Sequence, residues 1–220
     1  MANFIKTMSR LTILSVLALA CQEQELPVNK VPAEVIENLK AAGFSTGFNL
    51  RPFGNGYLVE NDILLTAEQI RELGSPVSAG KFGSEEHYRT NNIVTRITTV
   101  NVWMDPGFGS AIYNEFLAAL ARYNAENLTL KFNATTSKTG ADIQIVSFYE
   151  NSNTLGVSAG FPSKSGTPAS PIQLNTKYYN STSVRADTKT VIAHEIGHAI
   201  GFRHTDYMDR SFSCGGSAVN

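Results

Sequence analysis

The chain has 220 residues, of which only 17% are charged, below the roughly 25% of an average soluble protein. Ser, Thr, Asn and Gly together make up about a third of it, a polar profile seen in many exported proteins. The length suffices for one or two domains with a buried core, and a formal net charge of -1 excludes a field strong enough to gather nucleic acid.

The first 20 residues have the pattern of a secretory signal peptide. Lys6 and Arg10 precede an apolar segment over 11–20, which is too short to cross a bilayer as a helix of roughly 20 residues. Cys21 follows directly and resembles the lipidated cysteine of bacterial lipoproteins, although Ala18 stands where a larger aliphatic residue is usual. We therefore expect an exported chain, held at the outer membrane or cell surface only by a lipid on Cys21. The alternative is an ordinary signal and a secreted or periplasmic protein.

Residues 21–84 are predicted to form a lipid-anchor tether and a pro-like N-terminal region. A short helix is expected within 26–43, with Pro32 in its first turn and Gly43 at its end. One or two strands are expected over 57–65, and Thr66 begins a capping-box sequence that predicts a second short helix. The Gly/Ser/Pro-rich stretch 74–84 is interpreted as a boundary before a second domain, 85–220.

The region 85–220 is predicted to be an α+β sheet domain. Strands are expected within 93–104, 128–132, 141–148 and 171–175 because β-branched residues are frequent there or apolar and polar residues alternate. Apolar residues at helical spacing over 109–127 predict a helix that lies on the sheet. The segment 156–170 is expected to be rich in loops or to form a sheet edge.

The last predicted helix, which starts near Asp187 as an N-cap, carries candidate metal ligands. His194 and His198 are four residues apart, so their imidazoles lie on one face of neighbouring turns. Glu195 is rotated away from this face, where it can reach a metal-bound water. Gly201 can end the helix in a left-handed conformation, after which the chain can present His204 as a third ligand.

Three neutral imidazoles leave one position of a tetrahedral site open, which is typical of a catalytic zinc site. We therefore predict one catalytic Zn²⁺ bound by His194, His198 and His204, with Glu195 as the catalytic general base. Imidazole nitrogens also suit Cu, Ni or Co, so the pattern favours zinc without proving it. His87 lies in a charged stretch and is interpreted as solvated surface.

Residues 194–204 resemble the long zinc signature of the metzincin metallopeptidases, and the HEIGH sequence within them resembles the bacterial dual-action HEIGH metallopeptidase family. The similarity extends back to about Tyr88 and more loosely to 57–60. This resemblance implies a metzincin-like N-terminal subdomain, with a twisted mixed sheet, a backing helix and an active-site helix. It also implies that an edge strand, expected within 156–170, holds a peptide substrate.

The C-terminal end departs from that family. Few residues follow His204, so the resemblance leads us to expect a truncated or very short C-terminal subdomain and an incomplete zinc metallopeptidase catalytic domain over 85–220. Met208 is interpreted as a packing or surface residue rather than the methionine of a Met-turn. Asp206 and Tyr207 are not included in the catalytic set, and Cys214 is left as an odd thiol if Cys21 is lipidated.

The sequence thus predicts a zinc-dependent endopeptidase that hydrolyses protein or peptide substrates with a metal-activated water and Glu195. The alternative is a non-catalytic zinc-binding lipoprotein module of the cell surface; the presence of Glu195 favours the enzyme, because a structural site has no use for this carboxylate. Asp62 offers a carboxylate that can block the metal from the N-terminal region. We prefer the plainer interpretation that Asp62 is an acidic residue of a turn.

Overall fold

The computed structural model describes residues 31–75, 89–182 and 184–204. The elements within these ranges are α1 (Ala33–Ala41), β1 (Arg51–Phe53), β2 (Gly56–Val59), β3 (Ile63–Leu65), α2 (Ala67–Leu73), β4 (Thr99–Met104), a 3-10 turn (Pro106–Phe108), α3 (Gly109–Ala125), β5 (Lys131–Thr135), β6 (Ile143–Phe148), β7 (Gly156–Ser158), β8 (Ile172–Asn175) and α4 (Thr188–Ile200). The predicted signal peptide and the interpretations of Cys21, His87, Asp206, Tyr207, Met208 and Cys214 concern residues outside these ranges.

The described strands form one mixed sheet with the order β1-β2-β3-β7-β8-β6-β4-β5. Strands β5, β4, β6 and β8 are parallel, whereas β7 runs antiparallel to β8 and the β1–β3 meander is antiparallel within itself. Helices α3 and α4 pack against each other beside this sheet. The predicted α+β class, with a mixed sheet, a backing helix and a helix that carries the histidine motif, is confirmed.

The main core lies between the sheet and helices α3 and α4. The predicted apolar face of α3 is buried through Ile112 and Phe116, and α4 contributes Ile192 and Ile196. The hydroxyl of Tyr123 on α3 donates a hydrogen bond of 2.7 Å to the carbonyl of Ala193. The position of α4 is therefore fixed by both apolar packing and a polar contact.

A second, smaller core lies under α1, α2 and the β2–β3 hairpin, and Phe161 from the later part of the chain completes it. The capping box predicted at Thr66 is present: the Gln69 N–H donates to Thr66 Oγ1 at 3.2 Å, and the Thr66 N–H donates to Gln69 Oε1 at 2.8 Å. One or two strands are expected over 57–65, and the chain forms two, β2 and β3, which make the hairpin. The short β1, which includes Pro52, was not predicted.

The expectation of an edge strand within 156–170 is wrong for the described chain. β7 is the strand of this segment, and it has β8 on one side and β3 on the other. The pairing with β3 is parallel and short, with Ile63 opposite Ser158. Residues 51–65 therefore share one sheet with the later strands. Within the described ranges, no helix is both long and apolar enough to span a membrane.

Candidate metal centre

Helix α4 presents the first two histidines of the motif as predicted. It begins after Asp187, but the Asp187 carboxylate accepts hydrogen bonds from Arg185, at 3.0 Å from Nε and 2.7 Å from a terminal nitrogen, and does not cap the helix. His198 is almost fully buried, whereas the side chain of His194 is 41% exposed. One end of the cluster therefore lies near the surface.

Gly201 ends α4 and reverses the chain. Its φ of +117° lies in the region that favours glycine, and its N–H donates to the carbonyls of Gly197 and His198. A Cβ at this position would lie 2.8 Å from the carbonyl oxygen of Asn92. Both the left-handed conformation and this close approach explain why glycine stands here, and the reversal brings His204 back to the helix.

The three histidines converge through their Nε2 atoms. His194 and His198 Nε2 are 3.0 Å apart, His194 and His204 Nε2 are 3.1 Å apart, and His198 and His204 Nε2 are 3.2 Å apart. Metal–nitrogen bonds of about 2.0–2.1 Å in a tetrahedral site place neighbouring nitrogen atoms about 3.3–3.4 Å from each other. The described spacing therefore suits three nitrogen ligands of one metal ion.

The other ring nitrogens of two histidines set their tautomers. His198 Nδ1 lies 2.8 Å from the carbonyl oxygen of Phe202, and His204 Nδ1 lies 2.7 Å from Glu60 Oε2. Each Nδ1 must carry the proton to donate to its oxygen, so each Nε2 directs a lone pair to the centre. Burial also lowers the pKa of His198 to about 3, which favours its neutral form. Neutral imidazoles are the form that binds a metal.

Glu60 holds the third histidine in place, a role that sequence reasoning missed. This residue is 1% exposed, and its second oxygen, Oε1, accepts a 2.8 Å hydrogen bond from the backbone N–H of Ser45. Next to His204, the buried Arg203 guanidinium donates to the carbonyls of Ala42 and Gly43 at 3.0 and 2.7 Å. The N-terminal region therefore positions the segment that carries His204, the third predicted ligand.

Asp62 lies in the turn between β2 and β3, as preferred from the sequence, but its carboxylate is also part of the histidine cluster. Asp62 Oδ2 is 3.0 Å from His204 Nε2, 3.2 Å from His194 Nε2 and 4.0 Å from His198 Nε2. Ligand atoms of these four residues all lie within 4.8 Å of one another, as expected of a metal-binding group. The interpretation of Asp62 as only a turn acid is therefore too narrow.

Glu195 is buried beside this cluster, at 2% exposure. Its Oε2 has no hydrogen-bond partner among the described residues, and a Cβ at Gly156 would lie 2.7 Å from its Oε1. Burial first, and the nearby charge of Asp62 second, raise the pKa of Glu195 well above its usual value. Gly156 thus leaves room for a carboxyl group with high proton affinity next to the three predicted ligands.

Comparisons with known proteins identify the family of the chain. A search of curated proteins found no match. Among solved structures, myroilysin matches with a TM-score of 0.35 and 16% identity over 52% of this chain and 48% of the myroilysin chain, so the match spans about half of that protein. The family model of the dual-action HEIGH metallo-peptidases matches residues 57–220, a range that holds the histidine motif and the Asp62 turn. The chain therefore belongs to the dual-action HEIGH metallopeptidase family.

Proposed function

We propose that this chain is a zinc-dependent endopeptidase in which His194, His198 and His204 bind the ion and Glu195 is the general base. The observation that supports this best is the convergence of the three Nε2 atoms beside a buried carboxylate that has an unpartnered oxygen. Nitrogen ligands alone also suit other transition metals, and the motif favours zinc among them.

Each residue of the site has a separate role in this proposal. A bound Zn²⁺ supplies Lewis acidity and brings the pKa of a water close to neutrality. Glu195 would accept a proton from the attacking water and deliver it to the leaving amine. Glu60 and the Phe202 carbonyl keep His204 and His198 oriented while this happens.

The test of the general base is Glu195→Gln in the purified chain. We expect stoichiometric zinc by elemental analysis in both proteins, and a loss of peptide cleavage by about 100-fold or more in the variant. Cleavage is measured on a broad peptide library with and without a chelator. Glu115→Gln on α3 is the control and should cleave normally. Equal turnover in Glu195→Gln would contradict the assigned role.

We also propose that the chain is exported and lipidated on Cys21, as the sequence predicts. Metabolic labelling with a radioactive fatty acid should mark the wild type but not Cys21→Ser, which should leave the membrane fraction. An unlabelled wild-type chain in the soluble fraction would favour the alternative of an ordinary secretory signal.

A further inference from the structure

The turn Glu60-Asn61-Asp62 is built to hold one carboxylate in the histidine cluster. Glu60 and Asn61 both have positive φ angles, 53° and 76°, and the flanking Val59 and Ile63 are fully buried. The backbone carbonyl of Asp62 accepts a 2.8 Å hydrogen bond from the Ser158 N–H of β7. The backbone that carries the Asp62 side chain is therefore held in place by the turn and by β7.

Contacts on both sides of Asp62 fix the turn further. Asn61 Oδ1 accepts hydrogen bonds from Thr154 Oγ1 at 2.8 Å and from Asn49 Nδ2 at 2.6 Å. Glu60 is held between the Ser45 N–H and the His204 ring. The same short turn thus joins the N-terminal region, the segment before β7 and the third histidine.

The charges around Asp62 suit a cation. Within the described ranges, Asp62 forms ion pairs with the three histidines and with no Lys or Arg. Its Oδ1 is buried and has no hydrogen-bond partner among the described residues, and Glu195 brings a second carboxylate close by. A divalent cation at the centre of the cluster balances these acidic groups, whereas neutral imidazoles do not.

We propose that Asp62 is a fourth protein ligand of the metal and that the described conformation is a latent form of the enzyme, an inference that rests on the proposed function. Three histidines and one carboxylate complete a tetrahedral set, and such closed sets are typical of sites without catalysis. Asp62 Oδ2 takes the position that hydrolysis requires for a water. Activity therefore needs the Asp62 carboxylate to leave the cluster, while Glu60 keeps its hydrogen bond to His204.

The competing explanation is an ordinary ion pair between Asp62 and a protonated imidazole. It requires Asp62 to leave the centre once the metal binds and the imidazoles are neutral. Under this explanation, replacement of Asp62 changes neither the coordination of a bound metal nor the access of small ligands to it. The two explanations therefore differ in a spectroscopic property that does not depend on peptide cleavage.

The experiment loads the full chain with Co²⁺ in place of zinc and records its visible absorption, for wild type, Asp62→Asn and Asp62→Ser. We expect both variants to change the spectrum and to bind Co²⁺ at least about 10-fold more weakly. Acetohydroxamate, a small metal-binding probe, should perturb the spectrum of Asp62→Ser at concentrations about 10-fold lower than in wild type. Glu68→Gln, which removes an exposed carboxylate on α2, should behave as wild type in every measurement.

Peptide cleavage by the zinc-loaded proteins completes the test. We expect Asp62→Ser to cleave at least 10-fold faster than wild type, and Glu195→Gln in the same background to abolish that gain.

Unchanged spectra, affinity and probe binding overturn the ligand assignment, whatever the activity. Changed spectra with slower cleavage overturn latency. Changed spectra with no cleavage by any variant support the ligand and count against the proposed peptidase function. Circular dichroism of each variant checks that the variant is folded.

Discussion

The two carboxylate oxygens of Glu60 accept hydrogen bonds from two different donors, so replacing this residue affects the orientation of His204. One oxygen accepts from His204 Nδ1 at 2.7 Å and the other from the Ser45 N–H at 2.8 Å. A glutamine side chain has only one oxygen, so in Glu60→Gln an amide N–H would face one of these two donors. In this variant either His204 loses the hydrogen bond that orients its ring, or the side chain at position 60 loses its hydrogen bond to the Ser45 N–H.

We therefore expect Glu60→Gln to weaken zinc binding by about 10- to 100-fold, the usual effect of removing a group that orients a metal ligand. The affinity is measured by competition with a chromophoric chelator. Glu37→Gln, at an exposed position on α1, is the matched control and should bind zinc as the wild type does. An unchanged affinity in Glu60→Gln would show that the carboxylate does not support His204.

At the scale of elements, the end of α4 controls where the third ligand lies. Gly201→Ala should lower the free energy of unfolding by about 1–3 kcal/mol, because alanine is strained at a φ of +117°. The new methyl group would also meet the Asn92 carbonyl at 2.8 Å, so the end of α4 or the Asn92 segment must shift. We expect weaker zinc binding in addition to the lower stability, as measured by urea unfolding of the metal-free chain and by metal titration.

Gly54→Ala separates the loss of stability from the loss of zinc affinity. Gly54 also has a positive φ, 54°, but a Cβ there would meet no atom within 4 Å. This variant should lose stability for the same backbone reason and keep the zinc affinity of wild type. If Gly201→Ala also kept the wild-type affinity, the close approach to Asn92 would have no consequence for the metal centre.

The features that could be predicted from the sequence are local ones. The capping box of α2 needs only Thr66 and Gln69, and the apolar face of α3 repeats within a few turns. The histidine motif is also local, because a helix and one glycine bring His194, His198 and His204 together. Patterns of this kind are set by helical spacing and backbone preference, which are visible in a few neighbouring residues.

The features that could not be predicted depend on residues far apart in the chain. Asp62 is 132 residues from His194, and Glu60 is 144 residues from His204, so no spacing rule connects them. The placement of β3 beside β7 likewise depends on how the sheet assembles, and it turned an expected edge strand into an interior one. Local patterns place the histidines, whereas tertiary packing decides which carboxylates face them.

At the scale of the whole molecule, the metal centre joins two parts of the described chain. His194 and His198 belong to α4 in the main core, whereas Asp62 and Glu60 belong to the hairpin of the smaller core. A metal ion held by His194 and His198 from α4 and by Asp62 from the hairpin would stabilise the folded state, because the unfolded chain does not hold the ligands together. Metal binding should therefore stabilise both cores at once.

Removal of the metal is thus expected to lower the melting temperature. With free zinc at about 1,000 times its dissociation constant, the ion contributes about 4 kcal/mol, which for a chain of this size corresponds to a shift on the order of 10 °C. Scanning calorimetry before and after dialysis against a chelator measures this shift. Glu195→Gln should show the full shift, because Glu195 is not a ligand, whereas His204→Ala should show little of it. Equal melting temperatures with and without zinc in the wild-type chain would mean that the ion does not join the two cores.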